Sequence, residues 1–292
     1  MCEREQGPLQ LRTEYPKLDK RRMCPNCRAF ITTDDKVCPY CQAQVGTPAI
    51  ERRSPPDVLG GLIPHQRFVT MIILLINTGL YLAMMLRMTQ QGGSGFRDPD
   101  IQTLVDFGAK YAPYIIGRGE WWRLITAAFL HGGLLHIGMN SWVLFDLGPQ
   151  VNESFGTPRF LTIYFVSSIT GYLASLYWSS SVSIGASAGL CGLIGAMIAL
   201  GTRDRSAFGA ALRRQYVQWM IYLLIFGLVI SGVDNAAHIG GLAGGFVIAY
   251  LAGTPGFSEA MENFWRLAAG ISLAATGWAF FEMFMHLTRS AS

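Results

Sequence analysis

Long uninterrupted apolar runs are the feature that most constrains this chain. In hydrocarbon every backbone N–H and C=O must find a partner within the protein, so spanning segments are confined to helices and closed barrels. A spanning helix takes about 20 predominantly apolar residues, and residues 68–86 form such a run. Further runs lie at 134–147, 160–178, 187–201, 217–232, 236–253 and 267–287. The expected fold is an all-α polytopic membrane protein with seven spans. Charge agrees, because only 14% of residues are charged, against about 25% in soluble domains.

The basic residues are unevenly placed. Lys17, Lys20, Arg21, Arg22, Arg52, Arg53 and Arg67 precede the first span, and Arg203, Arg205, Arg213 and Arg214 lie between the fourth and fifth. With seven spans both clusters fall on one side, which the positive-inside rule makes cytoplasmic. The expected topology has a cytoplasmic N-terminus and an external C-terminus, and the opening residues lack a signal-peptide pattern. A net charge of +4 used in this way leaves no reason to expect a nucleic-acid partner.

Before the first span the chain is polar and holds Cys24-Pro-Asn-Cys27 and Cys38-Pro-Tyr-Cys41, two CxxC pairs ten residues apart. Two such knuckles can surround Zn²⁺ with four thiolates. All four positions are then filled by protein, so the metal is expected to be structural and to supply folding energy to a segment too short for its own core. Residues 21–45 are read as a zinc-ribbon-like module after a 1–20 tail, and the Pro-containing 46–66 as a linker. Cys2 has no evident partner. The membrane part divides into a six-span core, 67–253, and a seventh helix with a C-terminal tail, 254–292.

Polar groups within spans are costly and mark functional hypotheses. By span counting, spans two, four and six run inward from the external face. Span two begins with His131, His136 and Asn140, span four with Ser187, and span six with Asp234, Asn235 and His238. Polar groups therefore gather at one end of three parallel-running helices. Gly185–Gly189 and Gly241–Gly245 have the small-xxx-small spacing that lets helix backbones meet, so a hydroxyl and an imidazole can approach. A serine becomes a useful nucleophile when an imidazole takes its proton. His136, Asn140 and the Ser187 amide are then candidate donors to the oxyanion. Asp234, one turn before His238, has the residue type of an N-cap.

These residues resemble those of the rhomboid intramembrane proteases over about 121–245. Trp122-Arg123 is similar to the family's Trp-Arg pair, and His131-Gly-Gly-Leu-Leu-His136-Ile-Gly-Met-Asn140 to its HxxxxHxxxN pattern. Gly185-Ala-Ser187-Ala fits GxSx, and Ala237-His238-Ile-Gly-Gly241-Leu-Ala-Gly-Gly245 fits AHxxGxxxG. The resemblance implies a six-helix core, Ser187 as nucleophile, His238 as general base, and His136 and Asn140 as oxyanion donors, with no cofactor for catalysis. It implies transmembrane protein substrates, a bilayer, and a bacterial inner membrane as the setting. His131 matches a position that orders the loop. Ala188 stands where many members have Gly, and Cys191 where an aromatic residue commonly packs on the imidazole. The main alternative is a proteolytically inactive relative that binds membrane clients. A transporter would need polar groups near the midplane, and no HExxH supports a zinc protease.

Overall fold

A computed structural model describes residues 21–24, 27, 29–32, 35–42, 45, 65–90, 98–256 and 258–291. The 1–20 tail, Cys2 and most of the 46–66 linker lie outside the described residues. The chain divides into two compact units, 1–60 and 61–292.

In the first unit, β1 (Arg21–Met23) pairs antiparallel with β2 (Phe30–Thr32), placing Arg22 opposite Ile31. The turn between these short strands contains the first CxxC. Its core is minimal: Cys24, Ile31, Cys38 and Val45 are buried, with Cys41 against them.

The second unit is helical. It comprises α1 (His65–Gln90), α2 (Ile101–Asp106), α3 (Ala112–Arg118), α4 (Arg123–Thr126) with a 3₁₀ turn at Ala127–Phe129, α5 (Leu134–Phe155), α6 (Thr157–Trp178), α7 (Ser187–Arg203), α8 (Ala207–Val229), α9 (Asn235–Ala252) and α10 (Glu259–Ala291). The seven apolar runs are α1 and α5 to α10. Among the described residues, α1, α6, α9 and α10 are long and apolar enough to cross a membrane by length and composition, and α7 is a shorter apolar helix of 17 residues. The protein is an integral membrane protein.

Helix α5 runs to Phe155, past the apolar run that ends at 147, because its last polar turns are satisfied by neighbours. Asn152 donates to the Gln66 carbonyl on α1, and Gln150 accepts from the Tyr216 hydroxyl on α8. Helix α10 is held to α6 by Arg159, whose two terminal nitrogens meet the two Glu262 oxygens at 2.8 and 2.9 Å. Further along, its Ala279, Phe280 and Met283 pack on Trp122.

The helix pair that positions the polar groups is α7 against α9. A β-carbon at Gly241 would fall on the Ala188 carbonyl, and one at Gly245 on the Gly192 carbonyl. From the other side, a β-carbon at Gly195 would strike the Leu242 carbonyl. Backbone thus meets backbone along Ala188, Gly192 and Gly195. This corrects the glycine pairing expected from sequence on α7. Gly189 faces Tyr164 and Ser168 on α6, and Gly185 lies before the helix begins. The helix starts at Ser187, so the face presented to α9 is set by Ala188, Gly192 and Gly195.

Gly245→Ala is expected to destabilise the protein by about 1–3 kcal/mol, since its neighbours are backbone and cannot rotate away. Gly270→Ala on α10, with open space around it, is expected to leave stability unchanged or raise it by up to ~1 kcal/mol. Thermal unfolding of both variants in detergent checks the contrast.

Candidate active site

Ser187 is the first residue of α7 and His238 lies in the first turn of α9. Because the two helices touch through glycine, their side chains meet. His238 Nε2 lies 2.9 Å from Ser187 Oγ. The imidazole is buried at 4% exposure, and among the described residues its Nδ1 has no hydrogen-bond partner. Asp234 is therefore not the third member of a triad. Its carboxylate caps α9 by accepting from the Ala237 amide at 3.0 Å and also accepts from the Ser175 hydroxyl.

The segment entering α7 is held at several points. Gly185 has φ +122°, a left-handed conformation that disfavours other residues. Its amide donates to the Ala127 carbonyl at 2.9 Å, and its carbonyl accepts from the Tyr172 hydroxyl at 2.7 Å. Two residues earlier, Ser183 exchanges both backbone hydrogen bonds with Lys110, each 3.0 Å. Ser187 is thus presented at a helix N-terminus whose first amides have no intrahelical acceptor.

His136 and Asn140 share one face of α5 and close around Gly185. A β-carbon there would lie 2.7 Å from His136 Nε2 and 3.5 Å from Asn140 Nδ2. The Gly132 amide donates to His136 Nδ1 at 3.3 Å, which puts the proton of a neutral ring on Nε2, the nitrogen facing the site. Asn140 Nδ2 is buried with no partner among the described residues, so the site holds an amide donor awaiting an acceptor. His131 is fully buried, edge-on to the His136 ring at 5.1 Å between centroids. Cys191 is fully buried one turn along α7.

The structure brings together Ser187, His238, His136 and Asn140. Sequence reading missed Tyr172 and Lys110, which bind the loop that delivers Ser187. Lys110 carried one signal, a lone cation inside the apolar 107–116 stretch. Tyr172 carried none. Arg123 of the Trp-Arg pair is also fully buried. It pairs with Glu120 and donates to the Val105 carbonyl, both at 2.5 Å.

In the N-terminal unit the four sulfurs of Cys24, Cys27, Cys38 and Cys41 lie within 4.8 Å of one another. Cys24–Cys41 and Cys27–Cys38 are 3.7 and 3.6 Å apart. A tetrahedral site with metal–sulfur bonds of about 2.3 Å separates its sulfurs by roughly 3.8 Å, whereas a disulfide needs about 2.05 Å. The cluster fits a four-thiolate metal site.

Helical spans, with a serine at one helix start in hydrogen-bond contact with a histidine at another, define a polytopic membrane protein with a serine–histidine pair. Comparison with known sequences gives the family. Residues 118–255 match the Rhomboid domain. The chain is 40% identical to rhomboid protease GluP of Bacillus subtilis over 154 residues, 53% of this chain and 30% of GluP. It is 30% identical over 138 residues to the candidate rhomboid protease YdcA of the same organism, 47% of this chain and 69% of YdcA. It is 34% identical over 160 residues to the mitochondrial RHOMBOID-like protein 6 of Arabidopsis thaliana, 53% of this chain and 52% of that protein. The chain belongs to the rhomboid family. It spans from under a third to about half the length of several of these relatives.

Tyr172→Phe strips the donor from the Gly185 carbonyl and is expected to cost about 1–3 kcal/mol. The same change should speed amide exchange across 183–187, which hydrogen–deuterium exchange would detect.

Proposed function

We propose that this protein is an intramembrane serine endopeptidase that cuts transmembrane segments of other membrane proteins through a Ser187–His238 dyad. The 2.9 Å contact between His238 Nε2 and Ser187 Oγ carries the reading. In the first half-reaction Ser187 Oγ attacks the scissile carbonyl carbon while His238 Nε2 takes the hydroxyl proton. The carbonyl oxygen becomes an oxyanion, with the Ser187 amide, His136 Nε2–H and Asn140 Nδ2 as its donors. As the C–N bond breaks, His238 returns its proton to the leaving amine, and the acyl group stays on Ser187. Water, deprotonated by His238, then attacks the ester carbonyl; the C–Oγ bond breaks, His238 returns the proton to Ser187 Oγ, and the second product leaves with a new carboxyl group.

The length of α7 supports water access. Seventeen residues rise about 25 Å, less than a hydrocarbon core of about 30 Å, so a helix that reaches one interface stops short of the other. Ser187 at the outer end of α7 would then lie at the foot of a recess, and cleavage would occur near the outer leaflet. Suitable substrates are helices that unwind readily, because a stable helix keeps its carbonyls bonded. The topology has a cytoplasmic N-terminus and an external C-terminus in a bacterial inner membrane.

Cys24, Cys27, Cys38 and Cys41 would hold one structural Zn²⁺, whose contribution is the folding energy of the 21–45 module. Catalysis would use the residues of the second unit alone.

Purified full-length protein is expected to cleave a single-span model substrate and to be labelled by a fluorophosphonate. Ser187→Ala and His238→Ala should do neither, and equal cleavage by wild type and Ser187→Ala would reject the assignment. Asn140→Ala is expected to lower kcat on the order of 10²-fold, the effect of losing one oxyanion donor. Elemental analysis should return one zinc per chain. Stripping it with a strong chelator is expected to leave the Ser187-dependent rate in detergent intact, while loss of that rate on chelation would contradict a purely structural metal.

A further inference from the structure

Lys110 is fully buried, yet the mechanism above gives it no task. It lies between α2 and α3, in the external region before α5. Its Nζ donates to the carbonyls of Ser179 at 2.5 Å and Ser181 at 3.1 Å, and its backbone makes the two-way bridge to Ser183. A single residue therefore grips the 179–183 segment by side chain and main chain together. That segment continues through Gly185 into Ser187.

The same ammonium lies within electrostatic reach of Asp234. Burial pushes the Lys110 ammonium down, and the Asp234 charge opposes that shift. Burial would raise the Asp234 carboxyl. Hydrogen bonds from Ser175 and the Ala237 amide, helped by Lys110, more than offset this and bring it below the usual carboxylate range. Asp234 caps α9, and the His238 amide donates to the Asp234 carbonyl at 3.1 Å. Lys110 thus binds the strand that delivers the serine, and its charge acts on the partly exposed Asp234. Asp234 in turn sets the first turn of the helix that carries the histidine.

We propose that Lys110 is a positioning residue for the reaction, fixing Ser187 and His238 relative to each other through the 179–183 carbonyls and the Asp234 cap. The inference rests on the protease reading of the dyad. A buried ammonium holding two carbonyls tolerates little displacement, and hydrolysis is sensitive to misplacement of about 1 Å between reacting groups. Lys110 is fully buried and out of reach of a substrate helix, so the effect should fall on the chemical step.

Lys110→Met, Lys110→Gln, Asp234→Asn and the double variant Lys110→Met/Asp234→Asn are compared with wild type and Ser187→Ala. Each is assayed in detergent below its own melting temperature, with the single-span substrate. Lys110→Met is expected to lower kcat on the order of 10- to 100-fold, with KM within about two-fold of wild type. Fluorophosphonate labelling of Ser187 should slow in parallel. The double variant, which removes both charges, should lose less than the product of the two single losses. If Lys110→Met does not fold, Lys110→Gln, which keeps one donor and similar length, carries the test with the same direction expected. A Ser187-dependent kcat left at the wild-type value by the folded variant would overturn the role of Lys110 alone. So would a loss confined to KM or to melting temperature. Equal cleavage by wild type and Ser187→Ala would instead overturn the reading of the site, and the role of Lys110 with it.

Discussion

The approach of α7 to α9 through bare backbone governs the rest of the molecule. In lipid, helices gain little from burying apolar side chains against each other, because the surrounding chains are equally apolar. Contact must come from close packing, and glycine permits the closest. Gly241 and Gly245 accept the carbonyls of Ala188 and Gly192 where any side chain would collide. At that separation a serine and a histidine on facing turns fall within hydrogen-bond distance without strain in either helix. The β-carbon of Ala188 is accommodated beside Gly171 on α6, where a second β-carbon would lie only 2.8 Å from it.

A second layer of structure holds what the helix pair presents. Residues 98–133 contain short helices, tied together by bonds such as Thr126 Oγ1 to the Gly108 carbonyl at 2.7 Å, and they hold the segment before α7 through Lys110 and Ala127. Tyr172 approaches from α6. Each contact satisfies a backbone group that would otherwise be left unpaired where water is scarce, which is costly. The loop before Ser187 is thereby ordered by the same requirement that makes the spans helical.

Much of this was legible in the sequence because lipid penalises exceptions. Ser187, His238, His136 and Asn140 stood out as polar groups in apolar runs, and the cysteine spacing marked the four-sulfur cluster that could hold a metal ion. The rotation of each helix was not legible. Gly185–Gly189 read as a contact face only on the assumption that both residues are helical, whereas the helix begins between them. Lys110 and Tyr172 act on residues 73 and 13 positions away, and no local pattern encodes such a meeting. The span ends were blurred where partners on other helices satisfy polar residues, as at Gln150 and Asn152.

The tie between Arg159 and Glu262 bears on how the protein is made. Arg159 opens α6 and is buried, whereas its bidentate partner stands at the start of α10, 103 residues later. A ribosome delivers α6 to the membrane well before α10 exists, so in the interval this guanidinium lacks Glu262. The last helix also supplies the surface on which Trp122 packs. Insertion of α10 therefore pairs a charge and backs Trp122 in one event. A chain that lacked α10 would hold α7 and α9 together while both the partner of Arg159 and the surface behind Trp122 were missing.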